Sequence, residues 1–335
     1  MLKIDVFAHI APQKFLDALL KKVKLTENPP TLSNLDLRFK FMDKFEGLVQ
    51  VLSLPVFDFA SLDNNVSPQD NVELSKLAND EMAELLTKYP NRFVGACAAV
   101  PMTDMEAALK EIDRAINDLG CCGIEIFTDV NGKPLDSPEF RPLFEKMNYY
   151  NLPILLHPTW RFTNPEYPGE KTAKYLSVVT LTFPYQTTLA INRLVFSGIM
   201  EDYPNLKIIA HHCGGLLPFV AGRIAFNYAS HKVVAKGAAF KQRYLSRHPS
   251  EYFHRFYGDT GALGSRAALM CGYQFFGADH LLYGTDAPFD SQAGIRQTGD
   301  NMRAIEQLDI SEEDKLKIFE LNAIELFRLP LTVIE

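Results

Sequence analysis

Residues 123–157 read GIEIFTDVNGKPLDSPEFRPLFEKMNYYNLPILLH. The run Gly123–Phe127 is short, apolar and β-branched, which suits a strand buried on both faces. Ser137-Pro138 then places a capping residue before a first-turn proline, and predicts a helix over Ser137–Tyr150. Pro153–His157 is a second apolar run, and it ends in a histidine. Strand, helix, strand is the repeating unit of a parallel sheet.

The same alternation continues on both sides. The other apolar runs are Leu2–Phe7, Leu48–Leu54, Phe93–Ala99, Leu206–His211, Phe253–Gly258 and His280–Thr285. Between the runs, helices are expected over Val72–Lys88, Met105–Leu119, Gln186–Ile199 and Leu216–Asn227. Thr103 and Glu106 read as a capping box, and Ser311 to Asp314 opens a last helix. Eight strands with helices between them favour a (β/α)8 TIM barrel over an open doubly wound sheet. No glycine fingerprint follows the first strand, where the chain reads Phe7-Ala8-His9-Ile10, so a dinucleotide fold has no support. The expectation is a single barrel domain over residues 1–335, with loop insertions on its C-terminal face at Lys22–Leu35, Asp58–Asp70 and Arg161–Lys174.

The 335 residues are 47% hydrophobic, with 24 Phe and 13 Tyr, enough for a large core and too apolar for disorder. No apolar run reaches the roughly 18–20 residues of a membrane span, so no membrane partner is expected. With 34 Lys+Arg against 41 Asp+Glu, the net charge of −7 argues against nucleic acid as a partner. Cys97, Cys121, Cys122, Cys213 and Cys271 form no CxxC pair, so reduced thiols and a cytoplasmic location are expected. The N-terminus lacks the pattern of a secretory signal.

Barrel enzymes carry their reactive groups at the C-terminal ends of strands. His9 follows the first run, His157 ends the fifth, His211-His212 ends the sixth, and Asp286 follows the eighth. Histidine and aspartate converging from separate strands can hold one divalent ion and leave positions open for water or substrate. Trp160 and Arg161 lie just beyond His157, where an aromatic face and a guanidinium fork would suit a planar aromatic acid. Cys213 reads as a small buried filler rather than a nucleophile. Asp259 reads either as a partner of a ligand histidine or as a cap on the loop after strand seven. His231, His248, His254 and His280 read as ordinary structural or surface histidines.

An ordered set of motifs carries a resemblance: Ile4–His9 (IDVFAH), Leu155–Pro158 (LLHP), Ala210–Ile224 (AHHCGGLLPFVAGRI), Phe256–Thr260 (FYGDT) and Tyr283–Phe289 (YGTDAPF). Together they resemble the amidohydrolase-related branch of the amidohydrolase superfamily, which includes 2-amino-3-carboxymuconate-6-semialdehyde, γ-resorcylate and 5-carboxyvanillate decarboxylases. The resemblance implies that His9, His157 and Asp286 are metal ligands and that His212 is the acid/base. Pro218 and Arg223 fall at the family's offsets of six and eleven from His212 rather than from His211, which leaves His211 with Asp259 in a supporting role. It also implies a homo-oligomer, dimer or tetramer, in which Arg223 reaches a neighbouring subunit's site to bind a substrate carboxylate.

One departure stands out. The branch places His-x-His or Glu-x-His after strand one, and here Phe7 takes the first of those positions. The stretch Ile124–Thr128 also lacks the lysine that bridges two ions in di-metal members. The expectation is therefore one divalent ion on three protein ligands, zinc first and manganese as the alternative. The implied activity is metal-dependent, non-oxidative decarboxylation of a small aromatic or unsaturated carboxylic acid, with His212 and Asp286 as the catalytic pair. Hydrolysis or hydration on the same site is the rival chemistry, and a metal-poor binding protein derived from an enzyme is the third reading.

Overall fold

The eight apolar runs become eight parallel strands: β1 Lys3–His9, β2 Leu48–Ser53, β3 Phe93–Ala99, β4 Gly123–Phe127, β5 Pro153–His157, β6 Lys207–Ala210, β7 Tyr257–Asp259 and β8 Leu281–Leu282. The structure is a computed structural model that describes residues 1–23, 29–55, 66–159, 167, 169–234 and 245–331. The strands pair in sequence order, and hydrogen bonds from Val6 N–H to the Tyr283 carbonyl and from His9 N–H to the Ala287 carbonyl bring the last back to the first. The sheet thus closes into the expected barrel, with no flat edge left between β8 and β1.

The helices lie outside it. They are α1 Gln13–Leu20, α2 Leu35–Met42, α3 Pro68–Lys88, α4 Met105–Asn117, α5 Arg141–Tyr150, α6 Phe183–Phe196, α7 Leu217–Val234, α8 Arg266–Phe276 and α9 Ile295–Glu306, besides shorter turns. Strand residues alternate between two environments. Ile124, Ile126, Ile154, Leu156, Ile208 and Ala210 join the apolar layer shared with the helices. The alternate residues Glu125 and His157 face the barrel interior, as strand geometry requires. At about 25 cal/mol per Å² of apolar surface removed from water, that layer is the main source of stability.

Several expected boundaries move, each for a local reason. β1 runs on to His9, so this histidine is part of the strand. The seventh strand starts at Tyr257, because His248 and Glu251 form a capping box that draws Pro249–Phe253 into a helical turn. The eighth is only Leu281–Leu282, since His280 closes a 3-10 turn and Tyr283 N–H turns to the Ile318 carbonyl. The cap of α4 is Asp104, whose side chain accepts from Ala107 N–H, while Thr103 accepts a hydrogen bond from Asn71 instead. Ser137 precedes a 3-10 turn without a side-chain cap, and α6 begins at Phe183 and ends at Phe196. Parts of all three expected insertions, and Trp160 and Arg161 with them, fall outside the described residues. Among those described, no helix is long and apolar enough to cross a membrane.

Candidate metal and acid–base site

His9, His157 and Asp286 converge above the C-terminal ends of β1, β5 and β8. One ligand atom of each lies within 4.8 Å of the others. Both imidazoles are oriented from behind. His9 Nδ1 is 2.7 Å from the Leu54 carbonyl and His157 Nδ1 is 2.8 Å from the Pro158 carbonyl. A carbonyl only accepts, so each Nδ1 carries the proton and each Nε2 presents a lone pair. His9 Nε2 is buried with no hydrogen-bond partner, which is costly for a polar atom unless a cation or water completes it. Two imidazole nitrogens and a carboxylate oxygen, gathered this closely, fit a divalent ion.

Asp286 joins this group to a second one. Its Oδ1 lies 3.4 Å from His9 Nε2 and its Oδ2 lies 3.5 Å from His212 Nε2. Burial alone would raise the pKa of this carboxyl, but the hydrogen bond and attraction from His212 hold it well below the usual range. For His212 the balance is reversed: burial opposes its charge, yet the Asp286 carboxylate raises its pKa above the ordinary value. His212 is thus biased toward the protonated, proton-donating form. His157 is pushed strongly the other way by burial and by the neighbouring His9, His211 and His212, and stays neutral as a ligand must.

The adjacent histidines separate because the backbone turns sharply after β6. His211 is fully buried, with Nδ1 2.6 Å from Asp259 Oδ2. His212 adopts φ +57, a left-handed conformation that carries its ring to Asp286 instead. Asp259 was expected to hold a ligand histidine or to cap a loop. It holds His211, outside the three-residue cluster, and its Oδ1 also accepts from Cys213 N–H at 3.0 Å and Gly261 N–H at 2.8 Å. Cys213 is a buried thiol whose pKa is pushed far up by burial, so it supplies no thiolate. Arg223 is exposed on α7, between Phe219 and Phe226.

Phe7 occupies the centre of the group. It is fully buried, stacks on His211 with centroids 3.6 Å apart and planes 10° apart, and meets His9 edge-on at 4.9 Å. Gly284 lets the segment after β8 pass this ring, since a Cβ there would lie 2.9 Å from Phe7 Cβ. Three further rings border the histidines: Phe127 and Phe183 against His157, and Phe289 against His9. They leave apolar surfaces around the reactive groups.

Other participants were not anticipated. Glu125 is buried beside the end of β2, where it accepts hydrogen bonds from the Ser53 hydroxyl and Leu54 N–H, and burial pushes its pKa up to about 7. Strand alternation alone would have pointed it inward with Phe127. Asp5 accepts from Thr285 N–H at 3.0 Å and from the Thr285 hydroxyl at 2.6 Å, tying β1 to the residue before Asp286.

Comparison with known proteins places the chain in a family. The amidohydrolase family profile matches residues 4–329. A γ-resorcylate decarboxylase from Rhizobium sp. is 32% identical over 305 residues, covering 88% of this chain and 87% of its own. A 2-amino-3-carboxymuconate-6-semialdehyde decarboxylase from Dictyostelium discoideum is 29% identical over 294 residues, covering 88% and 76%. The crystal structure of a dihydroxybenzoic acid decarboxylase from Polaromonas sp., with bound manganese and the inhibitor 2-nitroresorcinol, superimposes with a TM-score of 0.78 at 28% identity, covering 99% of this chain and 98% of the other.

Proposed function

The chain belongs to the amidohydrolase family, and from that premise we propose that it is a metal-dependent, non-oxidative decarboxylase of a small aromatic carboxylic acid. The observation that carries this reading is Asp286, one carboxylate placed between the convergent His9–His157 pair and His212. His9, His157 and Asp286 would hold one divalent ion. That ion supplies Lewis-acid binding of substrate oxygens when present.

The chain's own groups do the rest. Phe127, Phe183 and Phe289 offer ring faces to a planar acid and exclude water from it. The Asp286 carboxylate, 3.5 Å from His212 Nε2, raises the His212 pKa and so favours its proton-donating form. As the bond to the carboxyl group breaks, its electron pair stays on the ring carbon, and the His212 proton moves to that carbon. His212 is then reprotonated from solvent. No oxidant is consumed.

The donor set of two nitrogens and one oxygen suits zinc, and the manganese of the Polaromonas relative makes that ion the alternative. We also assign a homo-oligomer. Leu181, Tyr185 and Leu189 form one exposed stripe leading into and along α6, and Phe219, Arg223 and Phe226 form another on α7, the kind of apolar surface that a second copy covers. Five free thiols support the cytoplasm as its place of action.

The test is a screen of aromatic hydroxy acids scored for carbon dioxide, alongside metal analysis and light scattering. Carbon dioxide release that depends on one bound metal per chain supports the reading. Water uptake without carbon dioxide release points to a hydratase or hydrolase, and active protein free of metal overturns the proposal.

A further inference from the structure

Asp286 holds both halves of the site, yet its backbone is left-handed, with φ +60. A non-glycine residue keeps that conformation only where its surroundings impose it. On one side, Asp286 N–H donates to the Phe7 carbonyl at 2.9 Å. On the other, the Asp286 carbonyl accepts from Gln297 Nε2 at 2.9 Å, while Gln297 Oε1 accepts from Phe289 N–H at 2.6 Å. Gln297 lies in the first turn of α9, is buried, and is itself fixed by its N–H donating to Asp290 Oδ2 at 2.7 Å. A single carboxamide therefore closes both ends of the segment Asp286–Phe289. One end presents the carboxylate to His9 and His212, and the other presents the Phe289 ring 5.5 Å from His9.

We propose that Gln297 is the positioning residue of this site, a buried clamp that sets the Asp286 carboxylate between the metal ligands and His212. The inference rests on the reading that His9, His157 and Asp286 hold a divalent ion. Gln297 touches neither that cluster's ligand atoms nor the mouth of the site; it acts through the Asp286 and Phe289 backbone. Only a carboxamide of this length supplies a donor at one contact and an acceptor at the other. Glutamate keeps the acceptor for Phe289 N–H but sets an oxygen against the Asp286 carbonyl. Methionine removes both contacts at nearly the same volume.

The experiment measures manganese and zinc retention against a chelator in wild type, Gln297→Glu and Gln297→Met, with circular dichroism and urea midpoints recorded on the same samples. Expected is a 10–100-fold loss of metal affinity in both variants while the fold is kept, the scale usual for residues that orient metal ligands. Gln297→Glu is the variant that keeps one native contact, and its result stands alone if Gln297→Met does not fold. Wild type that binds one ion no more tightly than the folded variants overturns this proposal and leaves the metal reading intact. Wild type that binds no ion overturns the metal reading, and the clamp with it.

Discussion

Replacing Glu125 with glutamine is predicted to make the metal-free protein more stable at alkaline pH. Glu125 is 3% exposed, its Oε1 has no hydrogen-bond partner, and its bonds to the Ser53 hydroxyl and Leu54 N–H do not offset burial. The carboxyl is displaced from its ordinary value of 4.5 to about 7. The unfolded chain therefore releases this proton near pH 4.5, while the folded protein holds it to about pH 7. Stability falls as pH rises between those values and levels off above them. At about 1.4 kcal/mol per tenfold in proton affinity, the ionised carboxylate destabilises the fold by about 3 kcal/mol. Glutamine copies the protonated carboxyl in shape and in its acceptor contacts, so Glu125→Gln removes the ionisation and little else. Urea unfolding of chelator-treated proteins at pH 4.5 and pH 8 is the assay, since a bound cation would itself favour the carboxylate. The two proteins should agree within about 1 kcal/mol at the acid pH, and the variant should lead by about 3 kcal/mol at pH 8. A difference independent of pH, or a wild type more stable at pH 8, refutes the reasoning.

His212→Asn should keep the metal and lower turnover by roughly 10²–10⁴-fold, whereas His211→Asn should act mainly on stability. If His211→Asn alone abolished turnover, the assignment of this pair would be wrong. Phe7→His should raise metal retention against a chelator by placing an imidazole among His9, His157 and His212; the lost stack on His211 should lower stability by up to a few kcal/mol, and equal retention would show that position 7 does not serve the metal. Gly284→Ala brings a Cβ to 2.9 Å from Phe7 Cβ and 3.0 Å from Asp259 Cβ, so urea unfolding should show a loss of about 1–3 kcal/mol. An unchanged midpoint would mean that the segment after β8 shifts freely beside β1.

The barrel was legible because its signal is local. Runs such as Gly123–Phe127 and Pro153–His157 are apolar throughout, and that pattern survives without knowledge of neighbours. The weaker readings came where pairing across the chain competes with local preference. Tyr283 looks like strand, yet its N–H bonds to Ile318 and its carbonyl to Val6, so β8 is two residues long. The candidate site was legible in part. His9, His157 and Asp286 stand at strand ends, and the family offsets singled out His212 from its neighbour.

What those residues do to one another was not legible. His211 and His212 are adjacent and chemically alike, and only the left-handed turn after β6 sends one to Asp259 and the other to Asp286. Strand alternation points Phe7 inward on the same face as His9, but its face-to-face contact with His211 depends on where β6 ends. Glu125 and Gln297 belong to no motif. Their roles arise from hydrogen bonds to Ser53, Leu54, Asp286 and Phe289, between elements that meet only when the barrel closes. The sequence by itself determined the order of strands and helices, the inward face of β1 and the residue types at the strand ends, because periodicity and chain chemistry act within a few residues. Which imidazole carries its proton where, which carboxyl is pushed toward neutrality and which backbone is held in strain were decided by the tertiary structure, because burial and hydrogen bonding depend on groups far apart in the chain.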